Sequence, residues 1–134
     1  MAGLVLDCSV ALSWLMPDEH AAAGLLDRVT TERAIVPGIW PLEMANSLLT
    51  AERRNRISKS QRKAALQALA ALPIEVDGET ASHAWKTILD LADTHRLTAY
   101  DAAYLELAAR RSLPLATFDR ELSRAAEIVG IKVI

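Results

Sequence analysis

Leu4-Val5-Leu6-Asp7-Cys8-Ser9 is a short apolar run that stops on a carboxylate. Because Leu4-Val5-Leu6 does not alternate and is followed at once by helical spacing, it predicts a strand buried on both faces. Asp7 then stands at the strand's carboxyl end. In an open parallel α/β sheet that edge collects loops and helix N-termini, and sites form there. The question for the rest of the chain is what else arrives at this edge.

Working outward, Val10, Ala11, Trp14 and Leu15 fall at helical spacing, Ser9 fits an N-cap, and Pro17 ends the helix. A second helix over about 19–31 would stripe Ala22, Leu25, Leu26 and Val29. Ala34-Ile35-Val36 reads as a strand closed by the Pro37-Gly38 turn signal. Pro41 suits the first position of a helix to Arg54 with Leu42, Ala45, Leu48 and Leu49 as its buried side. Ser58 opens the next helix, whose apolar face is Ala65, Leu66, Leu69 and Leu72. Pro73-Ile74-Glu75-Val76 is a strand with a proline at its start. A helix over 79–95 would bury Ala84, Ile88, Leu91 and Ala92. Thr98-Ala99-Tyr100-Asp101 has the Ser/Thr-x-x-acid form of a helix start, and that helix runs to Arg110 or Arg111. Leu113 to Thr117 forms a fourth strand. A helix follows Asp119 to about Val129, Gly130 caps it, and Ile131 to Ile134 is a last strand. Strands separated by helices require crossovers, which predicts a parallel sheet with helices on both faces. The strand order is not legible in these patterns.

A chain of 134 residues, 51% hydrophobic, makes one domain over 1–134, burying roughly 68% of its unfolded surface. Fifteen basic against seventeen acidic residues give a net charge of −2, which argues against binding nucleic acid through overall positive charge. A single cysteine excludes a disulfide framework and a multi-cysteine zinc site. The first sixteen residues lack a basic region and contain Asp7, so they do not read as a secretory signal. No apolar run approaches a membrane span. The expectation is a soluble, cytoplasmic protein with no membrane partner.

Asp7 and Asp119 follow strands, and Glu43 and Asp101 sit in the first turns of helices, so a doubly wound sheet would bring all four to one rim. Each also has a plain structural explanation. Asp7 and Asp119 fit N-caps, Glu43 suits the positive end of its helix, and Asp101 fits a capping box. Taken together, four like charges raise each other's pKa values and call for a divalent cation. Carboxylates without clustered His or Cys suit Mg²⁺ or Mn²⁺. His20, His83 and His95 are scattered and read as surface or satisfied helix residues. Such a site supports phosphodiester hydrolysis.

Four segments carry a family resemblance: Leu6-Asp7-Cys8-Ser9-Val10-Ala11, Pro41-Leu42-Glu43-Met44-Ala45-Asn46, Tyr100-Asp101-Ala102-Ala103-Tyr104, and Thr117-Phe118-Asp119-Arg120-Glu121-Leu122. In this order and spacing the chain resembles PIN-domain ribonucleases, and among them the VapC toxins of toxin–antitoxin pairs. The resemblance implies an α/β PIN-like fold with a five-stranded parallel sheet in the order 3-2-1-4-5. It further implies that Asp7, Glu43, Asp101 and Asp119 are the catalytic and metal-binding acids, with Mg²⁺ (or Mn²⁺) as cofactor. Asp7 and Asp101 would be the principal ligands. Thr117 matches the family's supporting hydroxyl, orienting Asp7 or a water, and Ser9 is read as a similar support. The implied partners are an RNA substrate, a VapB-like antitoxin whose C-terminal segment lies over the acidic groove, and a second copy of the chain docked through the helices around Trp40 to Ala51.

Arg53, Arg54, Arg56, Lys59, Arg62 and Lys63 form a local basic patch; Arg53, Arg54, Arg56 and Lys59 are the RNA-binding candidates, with a solvated helix junction as the equal alternative. Arg96 and Arg120 are further phosphate-contact candidates. Trp14, Trp40 and Trp85 read as core or interface anchors, and Tyr100 and Tyr104 as packing residues. Two other readings compete. A phospho-acceptor receiver domain would need an acidic pair after the first strand, but Asp7 is followed by Cys8, and Lys132 falls inside the final strand. A non-catalytic PIN-like scaffold that binds RNA or protein is the main alternative.

Overall fold

The computed structural model describes residues 1–19 and 23–134. His20 and Ala22, named above, lie outside the described residues. Strand β1 (Leu4–Leu6) pairs in parallel with β2 (Ala34–Val36) on one side and β4 (Leu115–Ala116) on the other, and β3 (Ile74–Val76) extends the sheet beyond β2. The order is β3-β2-β1-β4. Register is set by Val5, which faces Ile35 and Leu115. Leu4, Val5 and Leu6 are all fully buried. Their side chains alternate between the two faces of the sheet, so both faces are covered by helices. The non-alternating run at the N-terminus thus belongs to the central strand.

The fifth strand does not form. Ile131 to Ile134 contributes one parallel bridge, Val133 beside Leu115, in which the Leu115 N–H donates to the Lys132 carbonyl and the Ile134 N–H donates to the Leu115 carbonyl, both at 2.9 Å. The cause is the shortness of β4. The carbonyls of its neighbours Pro114 and Ala116 face β1, where Val5 and Asp7 use them, and the Leu113 N–H closes the end of the preceding helix on Ala108. Leu115 presents both of its groups outward, and the pairing with the final segment stays at that single bridge.

The helices are α1 (Cys8–Leu15), α2 (Ala23–Glu32), α3 (Trp40–Arg53), α4 (Lys59–Ala70), α5 (Thr80–His83), α6 (Leu89–His95), α7 (Ala99–Arg111) and α8 (Arg120–Ile128). At α1 the N-cap is Asp7, not Ser9. At α4 the Ser58 hydroxyl accepts from the Gln61 N–H while the Gln61 side chain accepts from the Ser58 N–H, a complete capping box. Gly130 follows α8 with φ of 83°, the left-handed backbone that glycine adopts without a Cβ penalty.

Two expected apolar faces are corrected. Along α3 the buried stripe is Trp40, Met44, Leu48 and Ala51, whereas Ala45 is exposed and Leu42 is 76% exposed. Leu48 alone is common to both stripes. The helix expected over 79–95 is interrupted by a π-helical turn at Ala84–Ile88. The wider turn shifts the phase of the residues before it. Ile88 and Ala92 pack with Ala102 and Ala103 of α7, Ala84 is only half-buried, and Trp85 is 90% exposed. Trp40 is a core residue and Trp85 is not. No helix among the described residues is long and apolar enough to cross a membrane.

Candidate active site

Asp7 leaves β1 nearly buried, at 7% exposure. Although it occupies the N-cap position of α1, its side chain makes no cap bond. Two hydroxyls hold it instead: Ser9 Oγ donates to Asp7 Oδ2 at 2.7 Å, and Thr117 Oγ1 donates to the same oxygen at 2.8 Å. Both hydroxyls are also acceptors. Thr117 Oγ1 takes the Asp119 N–H at 3.0 Å, and Ser9 Oγ takes the Phe118 N–H at 3.0 Å. These four bonds tie the corner after β1 to the corner after β4, and they orient the Asp7 carboxylate. Thr117 thus donates to Asp7, and Ser9 does the same from the second position of α1.

The other three acids arrive from separate elements. Glu43 lies in the first turn of α3 and is half-buried. Its Oε1 accepts from Tyr104 Oη at 2.6 Å, with Cys8 Sγ a weaker donor at 3.9 Å. Asp101 lies in the first turn of α7, where its N–H donates to the capping Thr98 hydroxyl. Asp119 is a true N-cap: its Oδ1 accepts from the Leu122 N–H at 2.8 Å. The structural explanation thus holds for Asp119 and fails for Asp7, while at Asp101 Thr98 engages both the backbone N–H and the side chain.

The charges of the four acids act on one another. Burial, and then the charge of Asp119, push the Asp7 carboxyl above its ordinary value, against the opposing hydrogen bonds from Ser9 and Thr117. Burial raises Glu43 as well, helped by Asp7 and Asp101. Asp101 is raised by burial and by Asp119 and Asp7. Each acid is coupled to at least two of the others. Among the described residues, no lysine, arginine or histidine forms an ion pair with any of them.

A carboxylate elsewhere in the sheet shows the contrast. Asp77 follows β3 as Asp7 follows β1 and is 3% exposed, yet Arg110 pairs with it at 2.7 Å and also holds Glu106. Burial alone would raise Asp77, but the guanidinium outweighs it and holds the carboxyl below its ordinary value. Among the described residues, the four acids at the rim have no such partner. Among the described residues, no group of three or more His, Cys, Asp or Glu side chains is placed to hold a metal ion.

The basic patch is placed elsewhere. Arg53 lies at the opposite end of α3 from Glu43, about 15 Å away along the axis. Arg56 is engaged with Asp18 and Glu19, and Arg62 with Glu52. Arg53, Arg54 and Lys59 are exposed. Arg120 follows Asp119 directly as the first residue of α8, and Arg96 caps α6 in a left-handed conformation. What sequence reasoning missed is the polar role of Tyr104 and Cys8. Tyr104 is fully buried, as a packing residue should be, but its hydroxyl is spent on Glu43. The available signal was a phenol one helical turn beyond Asp101.

The PIN domain family profile matches residues 4–128, nearly the whole chain. The chain belongs to the PIN domain family. PIN domains are in general nucleases. Solved structures share the fold: PAE2754 from Pyrobaculum aerophilum superposes with a TM-score of 0.71 at 22% identity, over 98% of this chain and 83% of that one. FitAcB from Neisseria gonorrhoeae gives 0.67 at 20% identity, over 98% and 96%. No curated protein matches the chain. In PIN terms, β1 and its Asp7 open the domain and α8, after Asp119, closes it.

Proposed function

We propose that this PIN domain is a Mg²⁺- or Mn²⁺-dependent endoribonuclease, with Asp7, Glu43, Asp101 and Asp119 as its metal-binding and catalytic acids. The observation that carries the reading is the set of partly buried, mutually repelling carboxylates at the strand ends, without a cationic partner among the described residues. Like charges in such a place cost stability unless an ion relieves them. An all-oxygen donor set fits a hard divalent cation, which keeps waters of its own and does not need a closed protein cage.

When bound, the ion supplies charge neutralisation at the scissile phosphodiester and a more acidic water. The chain's own residues do the rest. Ser9 and Thr117 hold Asp7 in one orientation, so that a principal ligand is preorganised. Glu43 and Asp119, from opposite sides of β1, help to hold the ion and to place the attacking water. Arg120 is positioned beside Asp119 for a phosphate contact, whereas Arg53, Arg54, Arg56 and Lys59 would engage RNA only some distance from the cleavage point.

The likeness to VapC proteins supports a place in the cytoplasm as the toxin of a toxin–antitoxin pair, restrained by a VapB-like antitoxin lying over the acidic groove. It also supports a homodimer through α3, whose Leu42 side chain is exposed to solvent. The competing reading, a PIN-like scaffold that binds RNA or protein without cleaving it, is separated by one assay. Wild type, Asp7→Ala and Asp101→Ala are compared on structured RNAs with Mg²⁺, Mn²⁺ or EDTA. We expect cleavage only by wild type with a divalent ion, each substitution costing more than the roughly 100-fold typical of losing an outer-shell partner. Equal cleavage by all three proteins would end the catalytic reading.

A further inference from the structure

We infer that Tyr104 is a positioning residue that sets the Glu43 carboxylate from inside the core; the inference rests on the divalent-ion reading of the acids given above. Tyr104 is fully buried on α7, one helical turn beyond Asp101. Its Oη lies 2.6 Å from Glu43 Oε1, the short separation of a charge-assisted bond. A phenol has one proton and an ionised carboxylate can only accept, so that proton points at Glu43.

Cys8 completes the arrangement. Its Sγ is 3.3 Å from the same phenol oxygen, and because the phenol proton is committed to Glu43, the thiol must be the donor. The order of donation is Cys8 to Tyr104 to Glu43, from α1 through α7 to α3.

The consequence is asymmetric. Among the described residues, the phenol engages Oε1 of Glu43, which leaves Oε2 for a ligand. Glu43 is long and only half-buried, and without an anchor its carboxylate would sample several rotamers. Packing does not require this oxygen, since phenylalanine would fill the same space with no buried polar atom to satisfy. Asp7 is held through one oxygen by two hydroxyls, and Glu43 through one oxygen by a phenol that the Cys8 thiol supports in turn. The two carboxylates are oriented by the same device.

The test compares wild type with Tyr104→Phe, Asp7→Ala and a core control, Leu107→Met, by thermal unfolding and by electron-spin titration of Mn²⁺. We expect Tyr104→Phe to weaken Mn²⁺ binding 10- to 100-fold, the range for outer-shell partners of a metal ligand. RNA cleavage should lose kcat with KM unchanged. Leu107→Met should keep wild-type Mn²⁺ affinity at a comparable loss of Tm, which separates positioning from plain stability. If Tyr104→Phe binds Mn²⁺ as wild type does while Asp7→Ala does not, the positioning role is overturned and the metal site stands. If wild type takes up no Mn²⁺, or Asp7→Ala binds it equally, the metal site itself falls and this inference with it. Should Tyr104→Phe fail to fold, Cys8→Ala decides: weaker Mn²⁺ binding supports the relay and unchanged binding overturns it.

Discussion

Asp7 combines burial, two hydroxyl donors and three acidic neighbours in one side chain. Burial and like charge outweigh the two hydroxyls, so its carboxyl is raised above its ordinary 3.8. The folded state therefore binds a proton more readily than the unfolded state, and stability falls as the pH climbs. Below 3.8 both states are protonated and no penalty exists; it grows as the pH rises through the folded value and is then constant. Asp7→Asn keeps an acceptor for Ser9 and Thr117 but removes the charge. In EDTA we expect this variant to gain Tm over wild type as the pH rises from 3.5 to 7, with no gap at the acid end. Mn²⁺ should close the gap by raising wild type alone. A gap independent of pH, in scanning calorimetry, would show that repulsion at the rim is not what the variant relieves.

Helix α7 is the element on which the site and the sheet edge meet. Asp101 stands in its first turn, Tyr104 one turn later, and Arg110 at its far end. Arg110 joins Glu106 on its own helix to Asp77 at the end of β3, with side chains 19%, 4% and 1% exposed. Removing one partner of such a buried set leaves charges unanswered and costs about 3–5 kcal/mol. For Arg110→Ala we expect the lower end of that range, because Arg111 remains 3.7 Å from Asp77. Arg110 holds Asp77 below its ordinary value of 3.8, so the loss should be full at pH 7 and shrink as the pH falls below 3.8. Urea unfolding at the two pH values checks both the size and the sign. None of this network was legible in the sequence, where Arg110 marked only the end of a helix. Its partners lie four and thirty-three residues away, and only the crossover between β3 and β4 makes them neighbours. The start of the same helix was legible, because Thr98 and Asp101 act within one turn.

At the scale of the molecule, large apolar side chains remain in solvent: Leu42 is 76%, Tyr100 64% and Trp85 90% exposed. The homodimer proposed through α3 would cover Leu42. A specific interface of that kind buries more than about 1,000 Å² in total and tolerates an unpaired charge at its centre poorly. We expect sedimentation to give a dimer for wild type and a monomer for Leu42→Asp, with the circular dichroism of the two alike. A monomeric wild type would remove α3 as the dimer face.

Local patterns by themselves determined the alternation of strands and helices, the parallel sheet, the central burial of Leu4 to Leu6, and the caps at Ser58, Thr98 and Asp119. Each of these depends on a few neighbouring residues, on period, burial and backbone bonding within one turn. Tertiary structure alone decided that β4 is too short to carry a fifth strand, that Met44 and not Leu42 faces the core, and that a π-helical turn puts Trp85 in solvent. It alone paired Tyr104 with Glu43 and withheld from Asp7 the cation that Asp77 receives. These outcomes depend on distances between residues far apart in the chain, and hydrogen-bond donors, like any charge, answer to what lies nearest in space.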